Sequence, residues 1–300
     1  MTTTGVLSWA WLPVYLLVIS APVAMGVALM YHRVLTHRAA VISPWVAYPL
    51  VAIAAPAGPP VGWVGHHRRH HQVTDQPEDD HAPGHHGFWV AHAGWYLGTE
   101  RVVACAAYTV GGPLRMAFDA FWRPRTGMGQ AHLAPDVAAV PFYRWLSRPG
   151  PFAFVVVSHV VLTWALALWW FGVWSLPLLY ALQVGYFFVG DGVNSLAHRF
   201  GRRPFRSRDQ STNLAWLAAL TAGEGFHHNH HVFPTSVRAG LLPGQVDLAY
   251  LFARGLRRVR LAHSLREPTV EQLLDRLADD RARARLERRL RAADAAPIPA

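Results

Sequence analysis

The chain has 300 residues, 52% hydrophobic and only 15% charged, with 13 Trp, which excludes an ordinary soluble domain of this size and points to a membrane protein. The formal net charge of +10 comes from 28 basic residues, every one an arginine, and 18 of them lie in residues 199–300 against 10 acidic residues there. These arginines alternate with Asp and Glu instead of forming an aromatic-laced stripe, so anionic lipid is the expected partner and nucleic acid is not. One cysteine, Cys105, excludes intrachain disulfides, Cys-ligated zinc and iron–sulfur clusters.

No charged side chain precedes Arg33, and none lies between Arg148 and Asp191. Residues 6–31 form an apolar run that crosses ~30 Å of hydrocarbon once at ~1.5 Å per residue. It lacks a basic start and is read as a span rather than a cleaved leader. Residues 41–65 are apolar but carry Pro44, Pro49, Pro56, Pro59 and Pro60. Residues 88–146 are mixed, with Trp and Tyr suited to the membrane interface. Residues 152–171 and 174–194 form two further apolar blocks joined tightly, as in a helical hairpin. After Arg199 the chain is polar, and residues 271–290 read as an Arg-rich helix with Leu273, Leu277 and Leu286 partly on one side, followed by a disordered tail.

Histidine is the anomaly, at 18 of 300 residues. Four groups stand out: His32 with His37; His67, His70 and His71; Asn194 with His198; and His227, His230 and His231. Residues three and four apart share a helix face, so the second and fourth groups each project together. His32 and His37, five apart, diverge by about 140° on a straight α-helix, which predicts a backbone bend where the first span ends. Neutral imidazole suits iron, zinc, copper and nickel. One catalytic metal uses three or four protein ligands, so this many histidines implies two metals. Isolated histidines such as His132, His159 and His263 are read as packed or hydrogen-bonded.

Shared coordination constrains topology. Only 29 residues separate His37 from His67. One crossing there would put the groups on opposite faces, and two crossings need roughly 40 residues. The proline-rich block is therefore expected to be re-entrant or interfacial, its freed backbone groups buried in protein. The basic C-terminal segment places the metal side in the cytoplasm. The expected fold is an all-α integral membrane protein with about three transmembrane helices, one re-entrant segment and a cytoplasmic helical cap holding a di-metal site. Residues 1–255 would form the membrane domain with its cap, and 256–300 an Arg-rich helix and tail.

At these residues the sequence resembles the membrane fatty acid desaturase family, closest to its acyl-CoA delta-9 (stearoyl-CoA type) branch, over residues 25–235. The strings that carry the resemblance are His32-Arg-Val-Leu-Thr-His37, His67-Arg-Arg-His70-His71, His92-Ala-Gly-Trp95, Asn194-Ser-Leu-Ala-His198 and Gly223-Glu-Gly-Phe-His227-His-Asn-His230-His231. The resemblance implies two non-haem irons held by His32, His37, His67, His70, His71, His198, His227, His230 and His231, with Asn194 contacting one of them through water. It implies O₂-dependent insertion of a cis double bond into a fatty acyl chain, with electrons from a separate ferredoxin, cytochrome or flavoprotein reductase. Glu224, His92 and Asp79 are the candidates to orient the ligands, and Asp75, Glu78 and Asp80 are further nearby carboxylates. Trp63 and Asp191 are the candidate tunnel residues.

Three departures from the family pattern bear on the substrate. There is room for one span before the first box, not two. Gly65-His66 replaces an Arg-Asp pair associated with the CoA head group. Asp191 stands where many members have Trp, and a carboxylate beside an aliphatic chain is costly unless paired. The acyl carrier is therefore left open among CoA, acyl carrier protein and lipid. A hydroxylase, an acetylenase or another oxygenase would use the same ligands, and a metal transporter would instead place histidines mid-span along a path. The expected location is a bacterial inner membrane, with the C-terminus cytoplasmic.

Overall fold

The computed structural model of the chain describes residues 7–115, 118, 125–280, 283–284 and 287–288. These are mostly helical, and the one sheet among them is a two-residue ribbon, β1 (Val41–Ile42) antiparallel to β2 (Ala262–His263). Three described helices are long and apolar enough to cross a bilayer: Trp9–Thr36, Pro149–Phe171 and Val173–Ser195. The first contains α1 (Leu12–Met25) and winds on without a break through Gly26–Thr36. Pro13 sits in its first turn, where a missing N–H costs nothing, and Pro22 lies inside.

α2 (Pro44–Ile53) and α3 (Pro60–Val73) follow, each started by proline. At ~1.5 Å per residue the ten residues of α2 rise about 15 Å, half a hydrocarbon core. The chain then reverses through Ala55–Ala57 and Gly58, whose φ of 128° suits glycine. α2 crosses the first span at Gly26, where an added Cβ would lie 2.4 Å from the Leu50 carbonyl oxygen. That close crossing seats the proline-rich hairpin against the first span and aims α3 at its end.

α4 (Val102–Val110) leads toward the long hairpin of α5 (Pro149–Phe171) and α6 (Leu176–Ser195). The Trp164 indole donates to Gln183 across that hairpin at 3.0 Å, and the Tyr186 hydroxyl donates to the Ser20 carbonyl of the first span at 3.2 Å. Val18, Phe154, Trp169 and Trp174 are exposed on the outer faces of the spans, as lipid contact requires. Because α5 and α6 run antiparallel, α6 ends beside the end of the first span.

α7 (His227–Val232) and α8 (Leu248–Arg258) follow in the polar region. Residues 256–300 begin within α8 and run on into β2, which pairs with β1. α9 spans Val270–Arg276, shorter than the single helix expected over 271–290. Leu277 leaves the helix with ψ of 134° and is buried against Phe205 and Leu241; packing that leucine wins over continuing the helix. Leu286 and the tail lie outside the described residues.

Candidate metal centre

The histidines converge from four places in the chain. α3 presents His67, His70 and His71, and α7 presents His227, His230 and His231. Each helix divides its histidines between two sets. His67 and His71 meet His32, His37 and His230, while His227 and His231 meet His70 and His198. In each set, donor atoms from all members lie within 4.8 Å of one another. The sets adjoin, with the His71 and His231 rings stacked at 4.5 Å.

The expected bend between His32 and His37 is not what joins them. Gly26–Thr36 is wound as a π-helix, and the His37 amide donates to the His32 carbonyl five residues back at 3.3 Å. That winding stacks residues five apart on one face, leaving the rings 5.1 Å apart. Such turns are rare and gather at functional sites.

Nε2 separations show what the sets can do. His230 Nε2 lies 2.9 Å from both His32 Nε2 and His71 Nε2, and His67 and His71 are 3.1 Å apart. In the second set His227 Nε2 is 3.0 Å from His198 and from His231, and His70 is 3.3 Å from His231. The opposite ring edges meet carboxylates: Glu224 on His32 Nδ1, Asp79 on His70 Nδ1 and Asp75 on His198 Nδ1, the last two at 3.0 Å. Asp209 stands 3.6 Å from His231 Nδ1. Carboxylates at Nδ1 fix the proton there, so each Nε2 turns a lone pair inward. Lone pairs about 3 Å apart repel unless a cation lies among them, and His37 Nε2 is buried without a hydrogen-bond partner. Two all-imidazole sets backed by carboxylates fit a pair of divalent first-row metals.

Burial, followed by repulsion from neighbouring rings, holds His37, His67, His71, His227, His230 and His231 well below the ordinary imidazole pKa. Burial pushes Asp79 and Glu224 upward, but hydrogen bonds and charge outweigh it and leave both below the usual carboxylate range; the partners are His70 and His81 for Asp79, and His32 and Arg33 for Glu224. Those six imidazoles are therefore neutral, with a lone pair free to bind a cation. A consequence follows for the metal-free protein. Below the free-imidazole pKa of about 6.5 the unfolded chain binds more protons than the folded one, so stability rises with pH there. The unfolding midpoint of metal-free protein is expected to hold at neutral pH and to fall as pH drops from about 6.5 toward 5. A flat profile would contradict neutral buried ligands.

Several residues of the site have no sequence signal. Arg33, 1% exposed, donates to Glu224 at 3.0 Å, to Asp247 at 2.9 Å and to the Val237 carbonyl at 2.9 Å. Asp247 in turn accepts backbone N–H groups of Ala239, Gly240 and Tyr250. Arg68 and Arg38 share Asp136, fastening α3 to the end of the first span. Asp209 was unmarked in the sequence; its bond to the Ser211 amide at 3.0 Å is the short Asp-x-Ser turn that could have flagged it.

The extra histidines fall elsewhere. His92 is fully buried and meets Ser195 Oγ at 2.7 Å, beside Asn194 and not on any of the nine imidazoles. His228 engages Phe205 and Ser211. His81 shares Asp79 with His70, and His85 and His86 meet backbone carbonyls.

A cavity of about 140 Å³ opens beside the first set, lined by His32, His67, Trp63, Asn194 and Asp191, and by Val23, Tyr186 and Phe187 toward the spans. The Trp63 ring stacks on His67 at 5.1 Å. Asp191 is paired with Arg115, which meets the condition the sequence set for a carboxylate in that wall.

Comparison with known proteins agrees with this geometry. The family described as "Fatty acid desaturase" matches residues 8–243. Delta-9 desaturase-like 2 protein of Arabidopsis thaliana is 33% identical over 249 residues, covering 81% of this chain and 72% of the relative. Delta-9 acyl-lipid desaturase 1 of the same plant is 30% identical over 272 residues, 88% of this chain and 78% of the relative. The sn-1 stearoyl-lipid 9-desaturase of Anabaena variabilis is 31% identical over 261 residues, 86% and 85% of the two chains.

Proposed function

We propose, from the premise that this chain belongs to the fatty acid desaturase family, that it introduces a cis double bond into a lipid-linked fatty acyl chain at a nine-histidine di-iron centre. The single observation that carries the reading is the division of nine converging imidazoles into a set of five and a set of four around adjacent points. Two bound irons would activate O₂ for the overall exchange, in which the chain gives up two vicinal hydrogens with their two electrons, a donor protein supplies two more electrons, solvent supplies two protons, and O₂ leaves as two waters.

The protein's own part is positional. Glu224, Asp79 and Asp75 hold the His32, His70 and His198 rings in one tautomer and orientation, and Asp209 places a negative charge near His231. Asn194 faces the cavity one turn before His198, placed to hold a water against the second set. Trp63 closes one wall, and the apolar lining from Val23 to Phe187 excludes water and accepts methylenes. Methylenes offer no polar handle, so the reacting carbons are chosen by how deep the chain lies. Gly65-His66 in place of the family's CoA-associated pair, and relatives named for acyl-lipid and stearoyl-lipid substrates, support a lipid carrier.

The experiment is expression in a host of known lipid composition, with iron analysis of the purified chain. About two irons per chain and a product 2 Da lighter are expected. A product 16 Da heavier would make it a hydroxylase on the same scaffold, and one labile zinc would end the oxygenase reading.

In this reading the hairpin of residues 44–58 dips into the bilayer and returns, the metal sets and C-terminus face the cytoplasm, and the Arg-rich surface receives an acidic electron donor. Single cysteines at Val41 and Arg69, in a Cys105→Ser background, should both be labelled from the cytoplasmic side. Labelling from opposite sides would overturn the topology.

A further inference from the structure

Phe187, Asp191 and Asn194 stand at i, i+4 and i+7 on one face of α6, and all three line the cavity. Between the apolar end at Phe187 and the metal-facing Asn194 the wall therefore carries an ion pair: Arg115 Nη1 donates to Asp191 Oδ2. The guanidinium also lies 4.6 Å from the Phe187 ring and 5.2 Å from the Tyr108 ring. Arg115 and Asp191 are only 9% and 6% exposed. A buried pair costs desolvation that two packed apolar side chains do not, and replacing such a pair by hydrophobic residues is often stabilising. An unsubstituted hydrocarbon chain gains nothing from it, having neither donor nor acceptor. A guanidinium and a carboxylate that both line the cavity match in chemistry a hydroxyl, which donates and accepts, or a carbonyl, which accepts.

We propose that the cavity takes acyl chains carrying a hydroxyl or carbonyl oxygen, held by Arg115 and Asp191 as specificity-determining residues. The oxygen would sit about 4.5 Å along α6 from Asn194, three residues at ~1.5 Å each. It lies close to the reacting carbons and on the span side of the metal sets. This deepens the desaturase reading and rests on it for the identity of the acyl chain. The alternative is that the pair only fastens the segment following α4 to the third span, and such a fastening would leave ligand preference untouched.

The test is displacement of tritiated octadecanoate from purified, detergent-solubilised protein by octadecanoate and by its positional hydroxy and keto isomers. At least one isomer is expected to bind about tenfold more tightly than the plain chain, the scale of one hydrogen bond to a charged group. The double variant Arg115→Met/Asp191→Leu, which removes both charges together, should bring that ratio to about 1. If it does not fold, Asp191→Asn decides, with a severalfold fall in the ratio expected. No preferred isomer in the parent protein, or a preference that survives either variant, overturns the proposal. Octadecanoyl lipid that loses 2 Da without any binding preference sinks this inference alone. A binding preference without loss of 2 Da from any chain sinks the desaturase reading and leaves the polar wall standing.

Discussion

Replacing His230 by alanine is expected to abolish product and to lower iron from about two per chain to about one. His230 is central to the five-histidine set, with Nε2 2.9 Å from both His32 Nε2 and His71 Nε2. No other described side chain reaches that point from α7, because His227 and His231 serve the second set. Losing a partner that merely orients a ligand costs about 10–100-fold in metal affinity, so losing a ligand should cost at least that. His70→Ala should act the same way on the four-histidine set. Asp79→Asn, which keeps the His70 ring and weakens its anchor, should fall in the 10–100-fold range. The informative control is His228→Gln. His228 sits inside the same histidine string but is turned to Phe205 and Ser211, so iron content should stay near two. Equal iron loss in His228→Gln and His230→Ala would show that the string is structural and that the assignment of ligands is wrong.

The histidines were legible because their spacing is itself the geometry: 67, 70 and 71, like 227, 230 and 231, share a helix face whatever the tertiary fold. Their division between two sets was not legible. It depends on α3 and α7 facing each other, and no local pattern encodes that. His32 and His37 are the instructive pair. Their separation of five argued for a bend, and the protein meets the same need by π-winding of Gly26–Thr36, for which residue types give no signature. The same limit explains the carboxylates. Glu224 and Asp79 lie near histidine strings in sequence, whereas Asp209 reaches His231 only through the fold. Asp191 stood out as a charge in an apolar block, but its partner Arg115 lies 76 residues away and carries no mark of its own. The apolar blocks marked three helices long and apolar enough to cross a bilayer because that is a demand on length and composition alone.

Arg33 looks from the sequence like the first charge after an apolar run, a residue for the membrane surface. It is instead among the largest fully buried side chains, and Arg33→Met is expected to destabilise the protein by about 3–5 kcal/mol, the cost of breaking a buried pair by removing one partner. The substitution keeps much of the volume, so the loss would come from charge. It would strand Glu224 and Asp247, whose side chains are 10% and 2% exposed. Against a typical total of about 5–15 kcal/mol this is a large share, visible as a lowered denaturation midpoint in detergent. The defect should also reach the metals, because Glu224 is held by Arg33 on one oxygen and meets His32 Nδ1 with the other. Arg33→Lys supplies a charge without the fork that serves Asp247 and Glu224 together, so it should recover stability only in part. A second change, Asp247→Asn, keeps an acceptor for the amides of Ala239 and Gly240, gives up the one to Tyr250, and removes one stranded charge. In the Arg33→Met background it should therefore cost less than it does alone, the coupling expected of residues in one network. Strict additivity of the two losses, or a loss below about 1 kcal/mol for Arg33→Met, would mean that the Glu224 loop is held in place by its backbone and not by this arginine.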